Sequence, residues 1–410
     1  MNGAALDRVF REAGGRIIAA LAGRFRDLSL AEDAFSESCL RAVRLWPEHG
    51  VPGNPAAWLY RVGERVALDV LRRKRVRGEN IPDAAVAEPN AEDAMTSDSY
   101  VIPDERLRLI FICCHPAVAP DVRAALTLRL ICGLTVTEIA RAFLVQEATL
   151  AQRLVRAKQK IAEAGVPFEI PLPESWPERM EAVLSTLEIA YSKAHEDASG
   201  AGSHAGFAGE MLHLTRLLTG LVPEAGEAFA LAALIRYAEA RRPARVDREG
   251  VMVPLAGQDP NLWRHDLIAE ADALLTRATM LAPSVSRTVQ ARLQQAWCSR
   301  RSLSEPPPWV TVLSLYDQLL ELRDDPIIRL NRAVALAEVA GAAAALCEVE
   351  SLATQMFEDF LPYHAVRADL FARIGRTDAA QVAYRKALAL RPGSAEARWI
   401  ERKMAALVRA

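Results

Sequence analysis

Three observations predict an all-α fold for this chain. Ala, Leu, Arg and Glu dominate its 410 residues, a composition that favours helix. Apolar residues recur at helical spacing, as in Ala34, Phe35, Cys39, Ala42, Val43 and Trp46. Near the C-terminus, Gly341 and Gly375 lie 34 positions apart, the period of a repeat made of two antiparallel helices. The expected architecture is two small helical domains, the second a helix-turn-helix, followed by a helical-repeat domain.

Residues 1–78 form the first domain. Ser29 offers an N-cap with Glu32 three residues on, a capping box for the helix carrying Ala34 to Trp46. Pro47, Gly50, Pro52, Gly53 and Pro55 then break the chain. A second helix starts near Pro55 and runs through Trp58, Leu59, Val62, Val66, Val70 and Leu71. It ends in a basic run, Arg72, Arg73, Lys74, Arg75 and Arg77.

Residues 79–105 carry eight carboxylates, three prolines and no Lys or Arg, the composition of an acidic linker. The second domain, 106–170, opens with a helix from Asp121 that Gly133 stops. Thr135 caps a short helix, Val136 to Phe143, and a turn over Leu144, Val145 and Gln146 leads to a longer basic helix from Glu147. Short helix, turn and longer basic helix is the helix-turn-helix order. Residues 175–410 form the extension. His364, Ala368, Phe371, Gly375, Ala380, Tyr384, Ala387 and Pro392 fall at tetratricopeptide spacing, and Ala271, Ala278 and Pro283 mark a weaker copy. The stretch Arg245 to Val253, with Val pairs about a Gly-containing turn, interrupts the pattern as a short hairpin.

The composition excludes several classes. No apolar stretch reaches the roughly 18 residues of a membrane span, and charges interrupt Leu6 to Ala22, so it is no secretory signal. The expectation is a cytoplasmic protein without a membrane partner. The six cysteines lack a disulfide-framework spacing. Cys113, Cys114 and Cys132 read first as buried core thiols, with a zinc or redox site including His115 as the alternative, because adjacent cysteines rarely both ligate one metal and no C-x-x-C pair is present. Without H-E-x-x-H, G-x-S-x-G or a P-loop, no catalytic residue, metal or cofactor is expected.

Binding is the better theme. Thr149, Gln152, Arg153 and Arg156 would face outward on the second helix of the helix-turn-helix. Arg and Gln read guanine and adenine edges, and Thr can hold phosphate. Trp58, Arg61, Arg65, Arg72, Arg73, Lys74 and Arg75 make an aromatic-flanked basic helix suited to melted or distorted DNA. Asp27, Glu32, Asp33 and Glu37 form an acidic surface near a helix start that favours a basic partner.

These features occur in a telling order. Asp27-Leu-Ser-Leu-Ala-Glu-Asp-Ala-Phe-Ser-Glu-Ser, Asn54-Pro-Ala-Ala-Trp-Leu-Tyr-Arg-Val and Leu68-Asp-Val-Leu-Arg-Arg-Lys-Arg resemble region two of the extracytoplasmic-function (ECF) sigma factors of RNA polymerase. Arg123-Ala-Ala-Leu-Thr-Leu-Arg-Leu, Leu134-Thr-Val-Thr-Glu-Ile-Ala and Glu147-Ala-Thr-Leu-Ala-Gln-Arg-Leu-Val-Arg-Ala-Lys resemble region four. The resemblance covers residues 6–165. Phe111-Ile-Cys-Cys-His-Pro and the repeat extension are similar to a subgroup with a C-terminal tetratricopeptide-like domain.

The resemblance implies binding to core RNA polymerase through the helix of Glu32, Asp33 and Glu37. It also implies melting of the proximal promoter element by region two, with the Trp46–Trp58 loop near a flipped base. Region four would read the upstream element through Thr149, Gln152, Arg153 and Arg156. The extension would take part in regulation, with a protein or intramolecular partner. Within it Asp247, Gly250, Gln258, Asp259 and Trp263 are the expected contact, with Trp263 as an exposed anchor; the alternative is that this stretch only caps one repeat and covers its apolar edge. A helix-turn-helix regulator with a repeat sensor, or a repeat scaffold without a DNA role, would need no region-two segment.

Overall fold

The structure is a computed structural model that describes residues 3–77, 105–143, 145–169, 176–196, 204–352 and 357–409. The acidic linker expected at 79–105 lies outside these residues except for Glu105, and Leu144 of the expected turn lies outside them too. The described residues form 18 α-helices and a few 3₁₀ turns. Among them the one β pairing is an isolated antiparallel bridge between Val246 and Met252. The chain divides into two compact units, Met1–Ala194 with Ser203–Leu217, and His195–Gly202 with Leu218–Ala410. The division at Leu218 falls inside the helix His204–Leu221.

The first unit begins with α1 (Gly3–Phe25), α2 (Leu28–His49) and α3 (Pro55–Val76). Asp27, and not Ser29, is the N-cap of α2. Its carboxylate accepts from the amides of Ser29 and Leu30, at 2.9 and 3.0 Å. The earlier cap wins because the helix already begins at Leu28, which leaves Ser29 inside the first turn. The capping box expected of Ser29 and Glu32 therefore does not form, and Glu32 is used elsewhere. Pro47 does not break α2 either. It sits in the last turn, and the helix ends at Gly50, whose amide donates to the Trp46 carbonyl.

The buried stripe of α2 is Ala34, Ser38, Ala42 and Trp46, at i, i+4, i+8 and i+12. Val43, expected in that stripe, is about half exposed together with Leu40 and Leu45. Asn54 caps α3 through the Ala57 amide, and Pro55 takes the first helical position. Buried Glu64 of α3 pairs with Arg24 of α1. Burial pushes its carboxyl above the ordinary value, although Arg24 and the Tyr60 hydroxyl oppose that.

Next come α4 (Arg106–Cys113), α5 (Pro120–Leu130), α6 (Val136–Phe143) and α7 (Glu147–Glu163). α6 is eight residues long, too short to persist alone, and its start is fixed by reciprocal capping. The Glu138 carboxylate accepts from the Thr135 amide and hydroxyl, at 2.7 and 2.8 Å, while the Thr135 hydroxyl accepts from the Glu138 amide at 3.1 Å. α8 (Trp176–Glu196) belongs to this unit, where Arg179 donates to the Phe111 carbonyl of α4 at 2.5 Å.

After α9 (His204–Leu221), the second unit runs through α10 (Gly226–Arg241), α11 (His265–Leu281), α12 (Ser286–Cys298), α13 (Trp309–Leu322), α14 (Pro326–Val339), α15 (Ala342–Ser351), α16 (Leu361–Arg373), α17 (Thr377–Ala389) and α18 (Ser394–Arg409). Gly341 and Gly375 hold positive φ, +93° and +78°, at equivalent turns, α14 to α15 and α16 to α17. Several of the positions read at repeat spacing point inward. Ala271, Ala278, Ala368, Ala380, Tyr384 and Ala387 are fully buried, and small residues there let successive helices approach closely.

The hairpin expected at 245–253 is a tight loop closed by the Val246–Met252 bridge. It is tied to α18: Arg398 donates to the Glu249 and Gly250 carbonyls, and Arg402 pairs with Asp247 and Glu249. Trp263 is only 4% exposed and Gln258 only 6%, so neither is a surface anchor. The 3₁₀ turn Pro260–Leu262 folds the Trp263 ring inward, and an apolar ring at a non-helical junction is a core filler there. Of the five contact residues, Asp247, Gly250 and Asp259 keep partial exposure.

Candidate nucleic-acid interface

Two helices of the first unit carry the basic surfaces. On α7, Leu150, Leu154, Ala157 and Ile161 are buried, at i, i+4, i+7 and i+11. That periodicity turns Thr149, Gln152, Arg153 and Arg156 to the opposite side, and all four are exposed. The short capped α6 stands before α7, so the exposed face belongs to the second helix of a helix-turn-helix, the element that enters a major groove. On α3, Arg65, Arg72, Arg73 and Arg75 are exposed, and Arg61 and Lys74 are half-buried. This run lies at the helix C-terminus, where cations are favoured by the helix dipole.

Trp58 is half-buried. It meets buried Trp46 edge-on, with ring centroids 5.4 Å apart, and Phe10 also packs against Trp46 at 6.0 Å. The Trp46–Trp58 loop is thus pinned by an aromatic cluster under its ends. Trp58 keeps part of its ring outside, while Trp46 is a core residue.

The acidic surface divides. Asp33 is exposed and Glu37 pairs with Arg41 on the surface at 2.9 Å. Asp27 is committed to capping α2. Glu32 is turned inward and held by Arg129 of α5 and Lys158 of α7, at 2.7 and 2.8 Å. Burial alone would raise its carboxyl, but the Lys158 ammonium and the Arg129 guanidinium outweigh it and hold Glu32 below its usual value.

Sequence reasoning missed Arg129 and Lys158. They lie 97 and 126 residues from Glu32, and no local pattern links them. It also missed the exposed apolar side chains Leu40, Val43 and Leu45, which add an apolar component to the outer face of α2.

The cysteines around His115 lie in the core. Cys113, Cys114 and Cys132 are buried, and no group of metal-binding side chains occurs among the described residues. Burial pushes the Cys114 and Cys132 thiols up to about 11 and about 12, so these are protonated core thiols.

Two domains with these surfaces, a three-helix domain and a helix-turn-helix, define a sigma-factor architecture. Residues 9–77 match the family described as Sigma-70 region 2, and residues 108–161 match Sigma-70, region 4. Residues 179–279 match a family of unknown function, DUF6596. The chain is 32% identical over 158 residues to the ECF RNA polymerase sigma factor SigE of Mycolicibacterium smegmatis, which covers 38% of this chain and 57% of that protein. An uncharacterised protein of Rhizobium meliloti (strain 1021) is 35% identical over 403 residues, 97% of this chain and 95% of its own length. The chain belongs to one family with that protein; in this chain, sigma-70 regions two and four precede a long helical C-terminal portion.

No helix among the described residues is long and apolar enough to cross a membrane.

Proposed function

We propose that this protein is an ECF-type sigma factor that binds core RNA polymerase, directs it to particular promoters in the cytoplasm, and is regulated through its own tetratricopeptide-like extension. The observation that carries the reading is the coexistence, in one chain, of an exposed acidic and apolar face on α2 with two separate basic helices, α3 and α7. A regulator acting alone on duplex DNA needs only α6 and α7. A three-helix domain with an aromatic-flanked basic helix has a use when a second, melted element must also be gripped.

In this reading Asp33 and Glu37 on α2, with Leu40 and Val43 beside them, meet a basic and apolar surface of the polymerase. Trp58, Arg61, Arg65, Arg72, Arg73, Lys74 and Arg75 hold the proximal element, where cations take phosphates and the exposed part of Trp58 offers a stacking face. Gln152 and Arg153 read base edges of the upstream element, while Thr149 and Arg156 position the helix. The chain performs no bond chemistry of its own. Run-off transcription with purified core polymerase tests the reading. Promoter-specific transcripts should appear only when the full-length protein is added, and their absence on every promoter bound in cells would refute it.

A further inference from the structure

Glu32 is the carboxylate of the α2 surface that ion pairs tie to region four. Each of its oxygens receives a cation from region four, Arg129 Nε at 2.7 Å and Lys158 Nζ at 2.8 Å. The two donors come from different helices, α5 and α7. The site is partly screened from water: the side chains of Glu32 and Lys158 are 14% and 16% exposed, and that of Arg129 is 30% exposed. Arg129 is itself braced by donating to the Leu134 carbonyl at 3.1 Å.

A second contact joins the same two domains without using charge. At Gly15 of α1, an added Cβ would lie 1.8 Å from the carbonyl oxygen of Ile131, just after α5. Real Cβ atoms do not approach so closely, so region two and region four meet backbone to backbone at a place only glycine permits.

The geometry points to an internal competitor for the polymerase: the face of region four carrying Arg129 and Lys158 occupies region two at Glu32, so the described arrangement is a closed form that must open before α2 can dock fully. This inference rests on the reading of α2 as the polymerase-binding helix. The occupant is defined by charge complementarity, two cations on one carboxylate. The DNA-reading face of α7 is not what closure hides, because Thr149, Gln152, Arg153 and Arg156 stay exposed. Closure therefore regulates recruitment of the polymerase and leaves the promoter-reading side chains in place.

Two independent variants open the contact. Arg129→Ala with Lys158→Ala removes the cations and leaves the α2 surface untouched. Gly15→Ala wedges the Cβ against Ile131, yet alanine is the better helix former in α1, so it does not weaken region two itself. Full-length protein with Cys347→Ser would carry dyes at Asp69→Cys and Glu163→Cys, exposed positions in regions two and four. Energy transfer reads the separation of the domains, core-polymerase titration reads affinity, and circular dichroism verifies retained helix.

Both variants should lower energy transfer and bind core polymerase roughly fivefold or more tightly than the parent. Unchanged energy transfer in Gly15→Ala would overturn closure. Lower energy transfer with unchanged or weaker polymerase binding would overturn the competition. If no form binds polymerase at all, the sigma-factor reading has failed, while the energy-transfer comparison still decides whether the domains close.

Discussion

Neighbouring residues on α7 give opposite expectations, because Arg153 is exposed and Leu154 is 5% exposed. Arg153→Ala trims a side chain on the exposed face, where substitutions usually change stability by no more than about 0.5 kcal/mol. If Arg153 reads a base edge, promoter binding should lose about 1–3 kcal/mol, roughly 5- to 150-fold, with the loss greatest at one base position. Leu154→Ala removes a buried side chain from the face that packs α7 into region four, and should cost about 2–5 kcal/mol of stability. For a unit of this size that is a fall in Tm of at least about 4 °C. Arg156→Ala should behave in a third way: if it meets a phosphate, binding weakens on every sequence and the salt slope falls by about 0.9. The assays are fluorescence anisotropy of polymerase with each variant on promoter fragments over a salt series, and thermal unfolding followed by circular dichroism. Native promoter affinity for Arg153→Ala would refute the assignment of the reading face. So would Leu154→Ala with normal melting and lost selectivity, since that would exchange the two faces of the helix.

Other expectations follow from single contacts. Reversing Asp33 and Glu37 to Lys should weaken co-purification with core polymerase without lowering Tm, because both lie on the outer side of α2. Thr135→Ala deletes half of the reciprocal cap of α6 and should cost about 1 kcal/mol, read as a lower Tm together with weaker promoter selectivity. Gly250 has φ +75° and an added Cβ would lie 2.3 Å from Arg398 Nη1, so Gly250→Ala should cost about 1–2 kcal/mol from backbone conformation and also displace Arg398. Arg402→Ala, which deletes only exposed pairs, should lower Tm by less, and the reverse order in a melting comparison would refute the reasoning. Thiol labelling at pH 8 should modify exposed Cys347 first. Cys114 and Cys132, whose thiols are pushed up to about 11 and about 12, stay protonated well above that pH and should react only on unfolding.

Much of this protein is written locally. Helix starts at Asn54–Pro55 and Thr135, the stop at Gly133, the turns at Gly341 and Gly375, and the inward alanines of the extension all follow from cap chemistry, backbone freedom and 3.6-residue periodicity. These are interactions among residues a few positions apart. The exposed face of α7 is legible for the same reason. Even locally, competition between close alternatives misleads: Asp27 and Ser29 can both cap α2, and only the position where the helix starts chooses between them.

What the tertiary structure alone decides is which apolar and charged side chains find partners far along the chain. Val43, expected in the apolar stripe of α2, lies outside it, because the buried face follows Ala34, Ser38, Ala42 and Trp46 at four-residue steps and Val43 is turned about 100° from Ala42. Trp263 looks like a surface anchor in an irregular stretch, yet the fold of that stretch turns it inward. Glu32 reads as one carboxylate of an acidic surface, and its capture by Arg129 and Lys158 spans 97 and 126 residues. Periodicity reports that a helix has two faces; only packing between distant segments determines what each face meets.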